Sequence, residues 1–218
     1  MDRRALSLLL VAVVALASVV NATVFAYRWL SGTIDIAGPE SARGAACTGF
    51  YSAADQSGIT LPDLGTNYNA PTYGIYKITV TPGDVVCQWT VGTNTYYLYE
   101  SIEVSIPVTV GSWYIQDFYA FGYYGTAGDP TVYVYFRVDD DATDGSILTT
   151  AYLIIRDDHG NELARLDLLT PGELKGPITL SPGEALRLDL YFDASTTGTV
   201  EFKVGVYVTQ ESGEAPSP

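Results

Sequence analysis

Apolar and polar residues alternate along many short segments of this chain. Residues 132–138 read Val-Tyr-Val-Tyr-Phe-Arg-Val, residues 186–191 read Leu-Arg-Leu-Asp-Leu-Tyr, and residues 200–207 follow the same pattern. Because successive side chains of a strand point to opposite faces, a period of two predicts strands with one buried face. About eight to ten such segments with turns between them, and no convincing helix, predict an all-β protein with an antiparallel β-sandwich. We place this domain over residues 33–210.

Turn sequences limit several of these strands. Residues 157–161, Asp-Asp-His-Gly-Asn, lie between two alternating segments and predict a hairpin. Pro-Gly followed by an acidic residue recurs at Pro82, Pro171 and Pro182. We interpret the three as equivalent turns at strand entries, because Pro and Gly supply the backbone angles that turns need.

Three other stretches have distinct compositions. Residues 37–72 are rich in Gly, Ala, Ser, Pro and Asn, and predict a long connection with one short turn of helix. Residues 96–110 predict one half-buried strand, with a bend at its proline. Residues 211–218 are polar and predict a flexible acidic tail.

The N-terminus resembles an export signal. Met-Asp-Arg-Arg is followed by an unbroken apolar run and then by small residues, the order typical of a secretory signal peptide. Cleavage is compatible with the sequence after Ala17, Ala22 or Ala26, and Ala22 is favoured. Residues 1–22 are therefore predicted to be a signal peptide and the mature protein to be secreted, outside the cell or at its surface.

An alternative keeps the apolar segment. Arg4-Ala5-Leu6 resembles the processing site of archaeal type IV pilins, whose apolar helix is retained and packs in the filament core. Val19, Val20, Thr23 and Val24 are mediocre helix formers, which favours the signal peptide.

After cleavage the chain would begin with an unusually apolar segment, residues 23–30. In an extended conformation Phe25, Tyr27 and Trp29 lie on one side, which suits an apolar groove. The opposite side carries Val24, Ala26, Arg28 and Leu30. Gly32 follows and can serve as a hinge, because glycine tolerates backbone angles that other residues avoid.

Composition and charge exclude some classes of partner. The net charge of the 218-residue chain is −14. Such a surface repels phosphate backbones, so nucleic acid is not an expected partner. The seventeen tyrosines, with many Val, Ile and Thr, favour strands.

The two cysteines, Cys47 and Cys87, predict one disulfide, because an even count in an exported chain favours pairing. The disulfide would close a loop of about 40 residues. In the chain-entropy model, this closure stabilises the folded protein by about 3–4 kcal/mol. The alternative is a pair of buried thiols. C-x-x-C spacing is absent, which argues against a redox or metal site.

The sequence offers little for catalysis. The only histidine, His159, lies at a predicted turn tip, where a general base would lack a nucleophile and a pocket. G-x-S-x-G, H-E-x-x-H and P-loop motifs are absent. We therefore expect no enzymatic activity, no catalytic residues and no small-molecule substrate.

An acidic cluster is the one candidate metal site. It consists of Asp139, Asp140, Asp141 and Asp144, and several carboxylates in one loop can bind Ca²⁺. The spacing is not that of an EF-hand, and the alternative is a solvated loop. No cofactor other than this structural calcium is expected.

Seven tyrosines cluster in the middle of the chain: Tyr96, Tyr97, Tyr99, Tyr114, Tyr119, Tyr123 and Tyr124. Most are expected in the core or in cross-strand pairs, and next at contacts between identical subunits. A carbohydrate-binding surface is the remaining interpretation.

Several stretches, in the same order along the chain, resemble one family, the secreted fibre subunits of the TasA and camelysin type, which include the archaeal bundling-pilus protein. Residues 31–36, Ser-Gly-Thr-Ile-Asp-Ile, resemble the family's Ser-Gly-Thr-Leu-Asp-Leu strand after the signal. Residues 80–86 and 100–108 resemble its Pro-Gly-Asp turn and following strands. Residues 202–210 resemble its last strand, which commonly ends in Ala-Thr-Gln, with Val208 here in place of the Ala.

The resemblance implies a jelly-roll or Ig-like sandwich that polymerises outside the cell by donor-strand exchange. Residues 23–32 would be the donor strand and hinge, and its subunit contacts would be made by Val24, Phe25, Tyr27, Trp29 and Leu30. The implied partners are identical subunits in a head-to-tail filament, and neighbouring filaments in bundles. The family usually has a longer aromatic-rich spacer before its first strand than this chain has.

Three functions therefore compete: a fibre subunit of a pilus or biofilm matrix, a type IV pilin, and a secreted carbohydrate-binding module. The N-terminus of the mature protein separates the first two, and glycan affinity of a monomer would favour the third.

Overall fold

The computed structural model describes residues 26–29, 47–52, 79–106, 109–139, 147–197, 200 and 202–216. This part of the chain contains thirteen strands and no helix. In chain order the strands are β1 (Ala26–Trp29), β2 (Cys47–Tyr51), β3 (Thr79–Pro82), β4 (Val85–Val91), β5 (Asn94–Tyr99), β6 (Ile102–Ser105), β7 (Gly111–Tyr124), β8 (Val132–Val138), β9 (Leu148–Arg156), β10 (Glu162–Asp167), β11 (Leu174–Leu180), β12 (Ala185–Ala194) and β13 (Val204–Thr209).

The strands form three antiparallel sheets. The largest has seven strands in the order β10-β9-β12-β7-β2-β5-β4, the second has four in the order β1-β13-β8-β11, and β3 pairs with β6. Every pair of neighbouring strands is antiparallel. The predicted all-β, antiparallel class is therefore confirmed.

One core lies between the two larger sheets. Val134, Phe136 and Val206 from the four-stranded sheet and Leu153 and Leu188 from the seven-stranded sheet are all fully buried in it. The alternation of residues 132–138 and 186–191 thus places every second side chain in the core, as a pleated strand requires. The arrangement is sandwich-like, with apolar faces of two sheets packed together.

Residues 79–105 form one long, bent hairpin. The chain runs from β3 into β4, turns at Gly92, and returns through β5 into β6. At the bend the ladder continues through two backbone bonds, from Gly83 N to Ser101 O (2.9 Å) and from Glu100 N to Asp84 O (2.8 Å).

This bend corrects two predictions. The single strand expected over residues 96–110 is divided between β5 and β6. The turn expected at Pro82 is a bend within a strand rather than a chain reversal. A Cβ atom at Gly83 would lie 2.2 Å from Ser101 Oγ, so a larger residue there would require the Ser101 side chain to rotate.

The other two Pro-Gly turns behave as predicted. Glu173 N donates to Thr170 O (3.2 Å) and Glu184 N donates to Ser181 O (3.0 Å). Gly172 and Gly183 have φ angles of 75° and 87°. Proline followed by glycine at positive φ is the signature of a type II turn. These turns lead into β11 and β12. The hairpin predicted at residues 157–161 is also confirmed, since it joins β9 to β10.

The connection expected over residues 37–72 contains a buried strand. Phe50 and Tyr51 of β2 are fully buried, and β2 pairs with β7 along its whole length. Composition suggested a loop because residues 37–72 as a whole are rich in Gly, Ala, Ser, Pro and Asn. In β2, however, a Cβ atom at Gly49 would lie 2.7 Å from Tyr99 O. Glycine therefore permits close approach of two backbones.

Residues 211–216 turn back onto the four-stranded sheet. Tyr135 Oη donates to Ser212 O (3.3 Å), Thr209 Oγ1 donates to Glu214 Oε2 (3.4 Å), and Pro216 is buried. These contacts belong to the first six residues of the tail, and its flexibility stays a prediction.

Candidate functional site

The N-terminal strand forms the edge of the four-stranded sheet. β1 pairs antiparallel with β13, with Ala26 opposite Val208 and Trp29 opposite Gly205. In the single chain, β1 therefore completes the sheet of its own subunit. The predicted donor residues Val24, Phe25 and Leu30, the hinge Gly32, and residues 33–36 lie outside the described residues.

The register of this pairing determines which residues of β13 lie opposite β1. Val206 and Val208 of β13 belong to the core, and their register partners are Arg28 and Ala26. Tyr27 lies opposite Tyr207, which is outside the core cluster. A shift of one residue exchanges the two faces of a strand. If β1 shifted by one residue along β13, Tyr27 would therefore lie opposite a core residue, Val206 or Val208.

The strand that receives β1 is uncharged and buried. β13 reads Val-Gly-Val-Tyr-Val-Thr, and all six residues are buried. On its other side it pairs with β8, from Val204 opposite Val138 to Thr209 opposite Tyr133. An apolar strand with one main-chain edge available to a short N-terminal segment is a suitable acceptor for strand addition.

A buried polar network occupies the other face of the seven-stranded sheet. Asp189 of β12 is fully buried. Its Oδ1 accepts from Asp117 N (2.7 Å), and its Oδ2 accepts from Arg156 Nε (2.7 Å) and from Tyr114 Oη. Arg156 also donates to Gly160 O (3.0 Å) in the β9–β10 turn. The network ties three adjacent strands and one hairpin together.

The sequence pattern did not identify this network. Asp189 alternates with core leucines, which predicts a solvated outer face, and Asp117 lies in a segment with no clear period. The structure inserts a bulge into β7 opposite Leu188 and Leu190, and Asp117 takes a positive φ of 51° there. Aspartate is one of the few non-glycine residues that tolerate this conformation.

Electrostatics in this network depend on burial. Burial raises the pKa of Asp117, whereas the Arg187 guanidinium 3.5 Å away lowers it and offsets only part of the effect. The pKa of Tyr114 is also raised, first by burial and then by its hydrogen bond to Asp189. The tyrosine hydroxyl therefore remains a donor. A hydrogen bond to Asp189 raises the pKa of Arg156 further.

The raised pKa of Asp117 predicts a pH dependence of stability. A carboxyl group whose folded pKa is above its unfolded value stabilises the fold fully below the unfolded pKa, about 3.9, and this contribution is lost as pH rises through the folded pKa. Asp117→Asn should therefore gain stability relative to the native protein between pH 4 and pH 7. Urea unfolding across this range measures the difference. The control Thr149→Ser should give a constant difference, and a constant difference for Asp117→Asn would contradict the prediction.

The acidic cluster predicted for calcium is only partly described. The Asp139 carboxylate lies 3.5 Å from Lys203 Nζ, so it already has a counter-ion. Asp140, Asp141 and Asp144 are outside the described residues. The calcium site stays a prediction.

A different acidic group lies in the β9–β10 turn. Asp157, Asp158 and His159 are the only described residues whose carboxylate and imidazole atoms are close enough to share a metal ion. Asp157 already accepts from Asn161 N (2.7 Å) and Asn161 Nδ2 (2.8 Å), which closes the turn. The His159 side chain is 79% exposed and pairs with Asp158. This is the solvated hairpin tip that the sequence predicts.

The clustered tyrosines do not form one surface. Tyr119 and Tyr123 are buried in the core, whereas Tyr114 is 48% exposed on the opposite face of the sheet. Trp89 stacks on Tyr124 with ring centroids 4.1 Å apart. The half-buried members are Tyr96, Tyr97, Tyr99 and Tyr124. Many of these tyrosines thus pack within the protein and leave less aromatic surface exposed for a ligand.

The predicted disulfide is present. Cys47 of β2 and Cys87 of β4 are bonded, with Cα atoms 5.8 Å apart. The two strands are not neighbours, since β5 lies between them in the sheet. The bond therefore pins the long hairpin to the strand that precedes it.

Removal of this disulfide should destabilise the fold substantially. Cys47→Ala combined with Cys87→Ala is expected to lower the free energy of unfolding by about 3–4 kcal/mol, because the unfolded chain regains the entropy of a 40-residue loop. Urea unfolding under oxidising conditions measures the loss. As a control, reductant should destabilise the native protein by a similar amount and leave the double variant unchanged; equal stability of the two proteins would refute the estimate.

None of the described residues forms a helix whose length and hydropathy would allow it to span a bilayer. No protein-family model and no curated protein matches the chain. The resemblance to the fibre subunits therefore stays a prediction.

Proposed function

We propose that this protein is a structural subunit of an extracellular filament that assembles head-to-tail by donor-strand complementation. The observation that carries the proposal is the pairing of a four-residue N-terminal strand, β1, with the edge of the C-terminal strand β13. The same backbone edge that binds β1 of its own chain can bind β1 of a neighbouring chain.

The connection between β1 and the rest of the domain supports an exchange. Residues 30–46 separate β1 from β2 and contain Gly32, Gly38, Pro39 and Gly44. An extended chain spans about 3.3 Å or more per residue, so this connection is long enough to reach another subunit. Exchange of an identical element keeps the contacts of the closed monomer and moves them between chains.

Head-to-tail exchange produces a filament. Each subunit donates one strand and receives one, and such a heterologous contact does not close on itself unless its rotation forms a ring. Main-chain hydrogen bonds provide affinity and alternate side chains provide register. The disulfide supports an exported protein, because disulfides persist in oxidising compartments.

The first test is electron microscopy of the secreted protein together with its N-terminal sequence. We expect filaments and a mature N-terminus near Thr23. A mature N-terminus at Leu6 would favour the type IV pilin, with a retained apolar helix. A monomer that binds glycans and forms no filaments would favour the carbohydrate-binding module.

A further inference from the structure

The two large sheets end in four edge strands, and three of these carry features that discourage pairing. β10 contains Glu162 and Arg165, which pair with each other (2.9 Å). β11 contains Lys175 and Pro177, and its ladder is interrupted between Lys175 and Ile178. β1 has four residues, one of them Arg28. Charges, proline, bulges and short length are the usual protections of a sheet edge.

The fourth edge, β4, has only one of these features, an irregularity in its ladder between Val85 and Cys87. It reads Val-Val-Cys-Gln-Trp-Thr-Val, without a charge or a proline, in a chain of net charge −14. No described strand pairs with its outer side. Val85 and Val91 are each 48% exposed, and Gln88 and Thr90 are exposed as well. A seven-residue uncharged edge of this kind is a template for another strand.

The backbone groups available at this edge follow from the hairpin register. Val91 and Asn94 flank the two turn residues, and a closing pair of this kind exchanges hydrogen bonds. Exchanging and non-exchanging pairs alternate along an antiparallel ladder, so Trp89 also bonds to β5. The N–H and C=O groups of Gln88 and Thr90 therefore point away from β5, towards the open side.

The strand is complementary to itself about Gln88. If two copies of β4 pair antiparallel with Gln88 opposite Gln88, Val85 of each copy lies opposite Val91 of the other. The two exposed valines are thus symmetric about the residue whose backbone groups face outwards. We propose that the β4 edge is a two-fold contact that binds β4 of a second copy of this chain and joins the two seven-stranded sheets into one.

The lack of charge on β4 favours pairing with β4 of a second copy. Two chains of net charge −14 repel each other, and the repulsion is smallest where an uncharged strand meets its own copy. The contact is isologous, unlike the head-to-tail contact through β1, and does not depend on it. Pairing of two seven-residue edge strands buries little surface, so a single contact of this kind is weak. Many such contacts along a filament would bind together more tightly, because they act multivalently.

The test introduces a charged residue at Gln88, which lies on the proposed two-fold axis, in the full mature chain. Gln88→Lys and Gln88→Glu each place two like charges opposite each other, and each should lower the self-association constant by at least about tenfold. An equimolar mixture of the two variants should restore association to within about threefold of the native level, because opposite charges then meet. The matched control is Thr149→Lys, an exposed position on the inner strand β9, which should associate as the native protein does.

Sedimentation velocity measures the association constant, and melting temperatures verify that the variants fold. If Gln88→Lys does not fold, Thr90→Lys on the same edge replaces it. A native protein that does not self-associate in 0.5 M salt, variants that associate as the native protein does, or a mixture that associates no better than either variant alone would each overturn the proposal.

Electron microscopy separates this contact from the head-to-tail contact. Filaments of the Gln88 variants should form but remain single, whereas native filaments should associate side by side. If no chain forms filaments, the filament proposal fails, and the monomer–dimer equilibrium still tests the β4 contact.

Discussion

If the proposed assembly is correct, deletion of residues 23–30 should abolish filaments and leave folded or partly folded subunits. The deletion removes β1 and exposes the main-chain edge of β13, so neither the cis nor the trans pairing can form. Burial of Phe25, Tyr27 and Trp29 in a neighbour would contribute a gross gain of about 10 kcal/mol per junction, from which ordering costs are subtracted. Electron microscopy and sedimentation of the truncated protein measure the outcome.

A peptide provides the reverse experiment. Residues 23–36 added to the truncated protein should raise its melting temperature, because the peptide occupies the edge of β13. A peptide of the same composition in scrambled order is the matched control and should have no effect. Normal filaments from the truncated protein would show that this segment is not the donor strand.

Paired cysteines decide whether β1 is donated or retained. Tyr27→Cys with Tyr207→Cys tests the register of the single chain, and Tyr27→Cys with Val206→Cys tests the register shifted by one residue. Donation yields a ladder of covalent oligomers on a denaturing, non-reducing gel. Filaments that contain only covalent monomers would contradict donor-strand assembly.

Replacement of Asp189 should cause a large loss of stability, because it removes the central acceptor of the buried network. Asp189→Ala leaves Asp117 N, Tyr114 Oη and Arg156 Nε without their acceptor inside the sheet face. Breaking a buried charged pair by removal of one partner costs about 3–5 kcal/mol. Because the Arg156 side chain is 23% exposed and lies 3.8 Å from Glu162, partial rehydration should place the loss near the lower value.

Urea unfolding at neutral pH measures this loss. Asp193→Ala is the matched control, since Asp193 lies on the same strand and the same face, accepts from Tyr191 Oη (3.0 Å) and is only half-buried. It should cost about 1 kcal/mol or less. Equal losses for the two variants would show that the buried network is not the origin of the effect.

Local pattern was enough to predict several elements. The alternation of residues 132–138 and 186–191 required one buried face, and Asp-Asp-His-Gly-Asn between two strands required a reversal. The disulfide followed from the number of cysteines together with the predicted export signal, without knowledge of which strands it joins. These features depend on neighbouring residues or on simple pairing, which a sequence displays directly.

The features that the sequence did not predict depend on pairing between residues that are far apart in the chain. β2 reads as a loop because its glycine packs against the backbone of β5, a partner about 50 residues away. Pro82-Gly83-Asp84 resembles the two type II turns in composition, but it lies inside a ladder that continues through Ser101, so the chain bends instead of turning back. Asp189 looks solvent-facing, since the bulge that covers it lies on another strand.

The sequence by itself determined the all-β class, the disulfide and the presence of an apolar N-terminal strand, because strand period, cysteine count and composition are local properties. Only the tertiary structure showed that β1 pairs with β13, that Asp189 organises a buried network, and that β4 is an uncharged edge with no outer neighbour among the described strands. Each of these depends on which strands become neighbours, and neighbours in a sheet are chosen by the packing of the whole core between its two layers.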